Sequence, residues 1–147
     1  MHRLDVLARR DAVAAGVPCV DLDVVVECSS GTYVRALARD LGAALGSAGH
    51  LTALRRTAVG PFTLAEAVPL DDGTQALPMT GLADVVRRTF PTLVVTDEEE
   101  AAVRVGRALP DRTLDADLVA LLSPAGEFLA LYRPRDGHAV PEAVFCG

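Results

Sequence analysis

Along residues 17–28, VPCVDLDVVVEC, apolar and polar positions alternate, with Val20, Leu22, Val24, Val26 and Cys28 on one face and Asp21, Asp23 and Glu27 on the other. A period of two predicts a strand. Beyond Ser29-Ser30-Gly31 the period changes. Over residues 32–46, Val34, Leu37, Ala38, Leu41 and Leu45 recur at helical spacing, predicting a helix that carries Arg35 and Arg39 one turn apart. Gly46, Ser47 and Gly49 close it. Residues 50–59 return to strand-like character, which sends Arg55 and Arg56 to opposite faces of a sheet and leaves at most one of them sharing a surface with Arg35.

Further along, PLDDGTQALP (69–78) has the turn-forming composition of a connection, and a short helix is predicted over 80–89. Phe90 to Val95 read as a strand, after which Thr96 caps a helix opening on DEEE, where carboxylates suit the positive end of the helix dipole. Apolar runs at 117–122 and 127–132 flank Ser-Pro-Ala-Gly as a hairpin, and 143–146 supply a last strand. From about residue 90 onward the pattern is that of a small β-rich module.

Composition narrows the class. With 147 residues, half of them apolar and 23% charged, the chain can build a core as one compact domain or two small ones. It carries no run near the ~20 apolar residues that span a bilayer. The start of the sequence has no secretory pattern, so a cytoplasmic protein is expected. Three widely spaced cysteines, Cys19, Cys28 and Cys146, suit reduced core thiols better than disulfides or a metal site, so no metal is expected. The net charge of −6 argues against a nucleic-acid partner until its distribution is considered. Residues 1–60 hold seven Arg against six acids, residues 61–147 seven Arg against fourteen, and residues 28–60 four Arg against one. Lysine does not occur, so every anion-facing cation is a planar guanidinium fork.

The segment Cys28-Ser29-Ser30-Gly31-Thr32-Tyr33-Val34-Arg35 sets a strand end, a tight glycine turn and a helix start in succession. Tyr33 and Arg35 fall in or beside the first helical turn, near backbone N–H groups open to an anion. The plainer reading has Ser29 to Thr32 capping the helix and Arg35 paired with a nearby acid. His50, after Gly49, is expected at the surface or as a cap. Asp40 stands one residue after Arg39 and five after Arg35, offsets poorly suited to ion pairing on a helix.

CSSGTYVRALARDLG, followed by GHLTALRRTAVGPF, resembles the C-terminal half of the catalytic domain of bacterial tRNA pseudouridine-55 synthases of the TruB type, and the tail is similar to the PUA-like module that ends them. The resemblance implies an α+β fold: part of a mixed, largely antiparallel sheet with a packed helix over residues 1–89, then a β-rich PUA-like RNA-binding module over 90–147. It implies that Arg35 is the arginine that pairs with the catalytic aspartate. It also implies that Tyr33 lines the pocket around a flipped uridine, where an aromatic face replaces lost base stacking. Leu54 falls on an apolar wall of that pocket, or is a plain core leucine. Arg55 and Arg56 are placed to touch RNA phosphate or to support the sheet.

The family reaction detaches uracil from C1′, turns it and rejoins it through C5 without a cofactor. Its aspartate lies in a GHxGTLDP-like motif that these 147 residues do not contain. The expectation is therefore a fragment, a truncated gene product or one half of a split protein, which binds the tRNA T-arm weakly and does not turn over alone. A sheet missing its partner half would associate with that half or with itself. The opening His2-Arg3-Leu4-Asp5 resembles the HRLD of RluA-type pseudouridine synthases, but VLARRD comes after it, and Asp5 is expected as an exposed strand residue. The competing expectation is a non-catalytic tRNA-binding or RNA-remodelling protein derived from the same family.

Overall fold

The computed structural model describes residues 1–70 and 77–146. It has an α+β architecture that divides into two compact units, Met1–Arg55 and Arg56–Gly147. Most of the connection expected over 69–78 lies outside the described residues.

The first unit is a long antiparallel hairpin followed by a helix. β1 (Arg3–Ala14) pairs with β2 (Val17–Glu27) in a two-stranded sheet. The register runs from Arg3↔Glu27 to Ala14↔Val17. The loop is Ala15-Gly16, at φ 49° and 80°. Two consecutive positive φ values give the turn whose twist matches a hairpin, and glycine takes that conformation without strain. A bulge between Val6 and Ala8 leaves Leu7 as the extra residue and inverts the side-chain alternation of β1 partway along. Arg10 forks onto Asp23 across the strands at 2.6 and 2.9 Å. The alternation predicted for β2 is present, yet neither face is covered: Val13, Val17 and Leu7 are at least 63% exposed, and Gly42 is the one fully buried residue of this unit among those described. A hairpin alone has no core to bury its apolar side chains in.

Helix α1 (Val34–Ala44) follows the predicted stripe. It ends where the glycines required it to, with Gly46 at φ 73°, its N–H bonded to Ala43 O, and Ser47 N–H bonded to Gly42 O. That pair of bonds satisfies the last helical carbonyls. The chain then turns back so tightly that a Cβ on Gly42 would collide with the backbone at Ala48 and Gly49.

The second unit holds the core. It opens with a minimal hairpin, β3 (Ala58–Val59) with β4 (Phe62–Thr63), and a 3₁₀ turn at Leu64–Glu66. Then come α2 (Leu82–Thr89), β5 (Thr92–Val94), α3 (Asp97–Arg104), β6 (Val119–Leu122), β7 (Phe128–Arg135) and β8 (His138–Val144). The four strands lie in the order β5-β6-β7-β8, with β5 parallel to β6 and the others antiparallel. Alternation decides which face each side chain serves. Val119 and Leu121 join Val103, Leu129 and Tyr132 in one cluster, while Ala120 and Leu122 join Val86 and Phe128 in the other. Helices α3 and α2 supply the two covers, through Val103 and Val86. Tyr132 is fully buried and its hydroxyl donates to Arg107 O at 2.6 Å, which removes the cost of burying it.

The structure corrects several expectations about elements and pairing. Residues 50–57 belong to no strand; only Ala58–Val59 pair, and they do so with Phe62–Thr63. The last strand starts at His138, earlier than the 143–146 segment suggested. The cysteines are free, half-buried thiols: Cys146 packs against the core cluster of Val103, Leu129 and Tyr132, whereas Cys19 and Cys28 join neither core cluster. Arg39 Nε does pair with Asp40 Oδ1, at 2.8 Å, despite the unfavourable offset.

Thr96 caps α3 as expected: its Oγ1 accepts from Glu99 N at 3.2 Å, and Glu99 Oε2 accepts from Thr96 N at 2.9 Å. Glu99 also accepts Arg112 Nε and Nη2 at 2.5 and 3.0 Å, which ties the 105–118 loop to the helix. Chiefly through Arg112, this carboxylate is held down at about 2, against an ordinary 4.5. A carboxylate with a lowered folded pKa stabilises the fold above its unfolded value, and that stability is lost as pH falls through the folded value. Urea midpoints are expected to drop between about pH 4.5 and 2. Glu99→Gln should remove this part of the pH dependence; an unchanged profile would show that the Glu99–Arg112 pair contributes nothing.

Candidate functional site

The first helical turn of α1 gathers the strongest candidates. Tyr33 stands at the N-cap position with an extended backbone (φ −87°, ψ 100°), and no side chain caps the helix there. Ser29 to Thr32 therefore do not serve as the cap that the plainer reading required. Gly31, at φ 83°, makes the turn that delivers Tyr33 to the surface. Tyr33 is 68% exposed, and the Arg35 guanidinium carbon lies 5.5 Å from its ring centroid, a cation–π distance.

Arg35 is exposed and has no carboxylate within ion-pair distance among the described residues. Its neighbours differ. Arg3 pairs with Asp5, Arg9 with Asp11, Arg10 with Asp23 and Arg39 with Asp40. Hydrogen bonding to Arg39 lowers the Asp40 pKa, and bonding to Arg10 does the same for Asp23. Tyr33, Arg35, Ala36 and Arg39 line one shallow depression of about 480 Å³. A larger concavity of about 580 Å³ lies against the hairpin tip, between Asp11–Val13 and Pro18–Val20, and its apolar lining marks uncovered strand surface.

Leu54 is 67% exposed, so it is not a core leucine. Arg55 is exposed in the same non-strand segment and, like Leu54, lies outside the depression at Tyr33. Arg56 opens the second unit and is also exposed. Neither arginine has an acidic partner among the described residues. Because no strand passes through them, the expected division between two sheet faces does not apply. Asp5 sits in β1 as a half-exposed residue paired with Arg3, a carboxylate already committed to its neighbour. His50 is exposed.

The site is thus a cation presented on an aromatic ring, with no counter-ion of its own among the described residues, in a unit whose hydrophobic side chains lack cover. Comparison with known proteins places the chain by class among the pseudouridine synthases. Residues 35–88 match the family model of the tRNA pseudouridylate synthase B C-terminal domain, and residues 90–146 that of tRNA pseudouridine synthase II, C terminal. The chain belongs to the tRNA pseudouridine synthase B family.

It is 52% identical over 130 residues to tRNA pseudouridine synthase B of Cutibacterium acnes, covering 86% of this chain and 43% of that one. To the Nocardia farcinica protein of the same name it is 51% identical over 145 residues, covering 98% and 46%. The chain therefore spans about half the length of these relatives. Among solved structures, an H/ACA ribonucleoprotein bound to a substrate RNA containing 2′-deoxyuridine aligns with a TM-score of 0.58 and 25% identity, over 98% of this chain and 55% of that one. A Cbf5-Nop10-Gar1 complex aligns at 0.53 and 24% identity over 98% and 51%, a likeness of fold alone.

Proposed function

We propose that these residues are the C-terminal part of a tRNA pseudouridine synthase that isomerises uridine 55 in the T-arm loop, with the catalytic aspartate supplied by the N-terminal half of the enzyme. The observation that carries the reading is Arg35: alone among the ordered cations of α1 and the hairpin, it has no carboxylate among the described residues. A guanidinium offers two parallel N–H donors, the geometry that holds a carboxylate ionised and oriented for covalent chemistry. Tyr33 gives the displaced base an aromatic face, and Leu54 an apolar one. Arg55 and Arg56 meet phosphate. No cofactor or metal takes part.

The division between the catalytic part (1–89) and a PUA-like RNA-binding module (90–147) belongs to the same proposal. It separates the two family matches, although packing groups the residues from Arg56 onward. The N-terminal half is the cover for the apolar hairpin, and without it the same surface associates with a second copy. A tRNA-modifying role places the protein in the cytoplasm; among the described residues no helix is long and apolar enough to cross a membrane.

Arg55 and Arg56, which have no acidic partner among the described residues, also favour a second reading, a non-catalytic tRNA-binding or RNA-remodelling protein. Activity assayed with an added N-terminal half, and its response to Arg35→Ala, separates the two. Both readings expect weak binding that falls steeply with salt, since guanidinium–phosphate contacts release counterions. The non-catalytic reading has Arg35→Ala leave the function intact. The enzymatic one has activity return when an N-terminal half is supplied, and has Arg35→Ala all but abolish it without unfolding the chain. Salt-independent association would contradict both.

A further inference from the structure

Residues 56–67 form a ribbon with almost no anchorage of its own. Its strands are two residues each, and Phe62 is the single side chain in it that is even half-buried. A hairpin that short does not hold its shape unaided. Internally it is closed by Leu64 N donating to Thr57 O at 2.7 Å, and by Glu66 Oε2 accepting from Thr63 N and Oγ1 at 2.9 and 3.0 Å.

One side chain from α2 grips this ribbon in three ways. The Arg88 guanidinium carbon lies 4.3 Å from the Phe62 ring centroid, Nη2 donates to Pro61 O at 2.9 Å, and Nη2 stands 2.7 Å from Glu66 Oε1. Helix α2 is itself fixed to the sheet. Val86 is buried against Ala120, Leu122 and Phe128, and Arg87 Nη2 donates to Gly126 O at 3.0 Å. A continuous set of ordered contacts therefore runs from the core through α2 and Arg88 to the ribbon, whose first fixed carbonyl, on Thr57, adjoins Arg56.

We infer that Arg88 is a positioning residue for Arg56, clamping the 57–66 ribbon to α2 so that the Arg56 guanidinium is presented to RNA from a fixed base. This rests on the assignment of Arg56 to the RNA side made above. Arg88 spends its aromatic-stacking face and its donors inside the protein and does not itself touch phosphate. Lysine could pair with Glu66 but could not also lie flat on Phe62 while donating to Pro61 O, so it replaces the arginine only in part.

The test uses the full chain and a fluorescent T-arm stem-loop RNA, with Arg56→Ala, Arg88→Ala, Arg88→Lys and the double alanine variant. Arg56→Ala is expected to weaken binding roughly three- to tenfold and to reduce the salt slope by about one, the signature of one lost phosphate contact. Arg88→Ala should do the same, and the double variant no more than either. Independently of RNA, the ¹⁵N heteronuclear NOE of the Arg56 to Val59 amides should fall in Arg88→Ala and recover partly in Arg88→Lys, with the thermal midpoint of the core little changed. Additive losses in the double variant, or unchanged NOE values in Arg88→Ala, would overturn the inference while the RNA assignment of Arg56 stands. An Arg56→Ala variant that binds like the parent would remove that assignment, and the inference with it.

Discussion

Mixed with a separately expressed N-terminal half that bears a GHxGTLDP-like segment, the chain is expected to convert the T-loop uridine to pseudouridine, whereas alone it gives no turnover. Release of tritium from tRNA labelled at uridine C5 measures both. In the mixture, Arg35→Ala should lower the rate roughly 100- to 1000-fold, the loss typical of removing one preorganised charge donor from a site that excludes water. Arg35→Lys should recover little, because a point charge on a flexible stem lacks the two parallel donors. Secondary structure should survive both substitutions, since Arg35 is exposed and bridges no other element of the first unit. Brisk turnover by the chain alone would mean that a carboxylate within it does the chemistry. Asp5 would then return as a candidate despite its pairing with Arg3.

The largest stability effect is expected in the second unit, at β7. Leu129 has no exposed surface and packs in the cluster that contains Val103, Leu121 and Tyr132. Leu129→Ala should cost about 2–5 kcal/mol, from lost transfer energy plus the cavity left behind. Urea denaturation followed by Tyr132 fluorescence reports it, because Tyr132 lies in that cluster and the other tyrosine, Tyr33, is at the surface. A comparable truncation on the hairpin, Val13→Ala, should change stability by no more than about 0.5 kcal/mol, as expected of an exposed side chain. Equal losses at the two positions would contradict the division into a unit with a core and a unit without one.

Where the sequence was legible, one local rule acted without interference. The period-two run of β2, the three-and-four stripe of α1 and the Thr96–Glu99 box of α3 each fold as their residues suggest, because neighbouring positions alone determine them. β1 was harder to read. Its bulge at Leu7 shifts the alternation by one residue, so Leu4 and Val6 are out of phase with the strand residues from Ala8 onward, and the Ala15-Gly16 turn lacks the usual asparagine or aspartate. The residues 50–57 misled in the opposite direction, since strand-like composition cannot supply a partner strand.

At the site, composition located the arginines and the motif ranked them. The pairing of each cation was not legible. Arg39 took the adjacent Asp40 although one-residue spacing on a helix is unfavourable, and Arg88, which drew no notice in the sequence, holds Phe62, Pro61 and Glu66 together across 22 to 27 positions. Such contacts are set by tertiary packing, and no local periodicity encodes them.

In the proposed enzyme the Arg35 guanidinium receives a carboxylate from another stretch of polypeptide. Arginine side-chain NMR of the ¹⁵N-labelled chain, titrated with the unlabelled N-terminal half, reads this directly. The Arg35 Nε–H resonance should move downfield and slow its exchange with water, while the same half carrying Asp→Asn in its GHxGTLDP-like segment should bind without that shift. An Arg35 signal that stays put on binding, or moves equally with the asparagine form, would contradict the account.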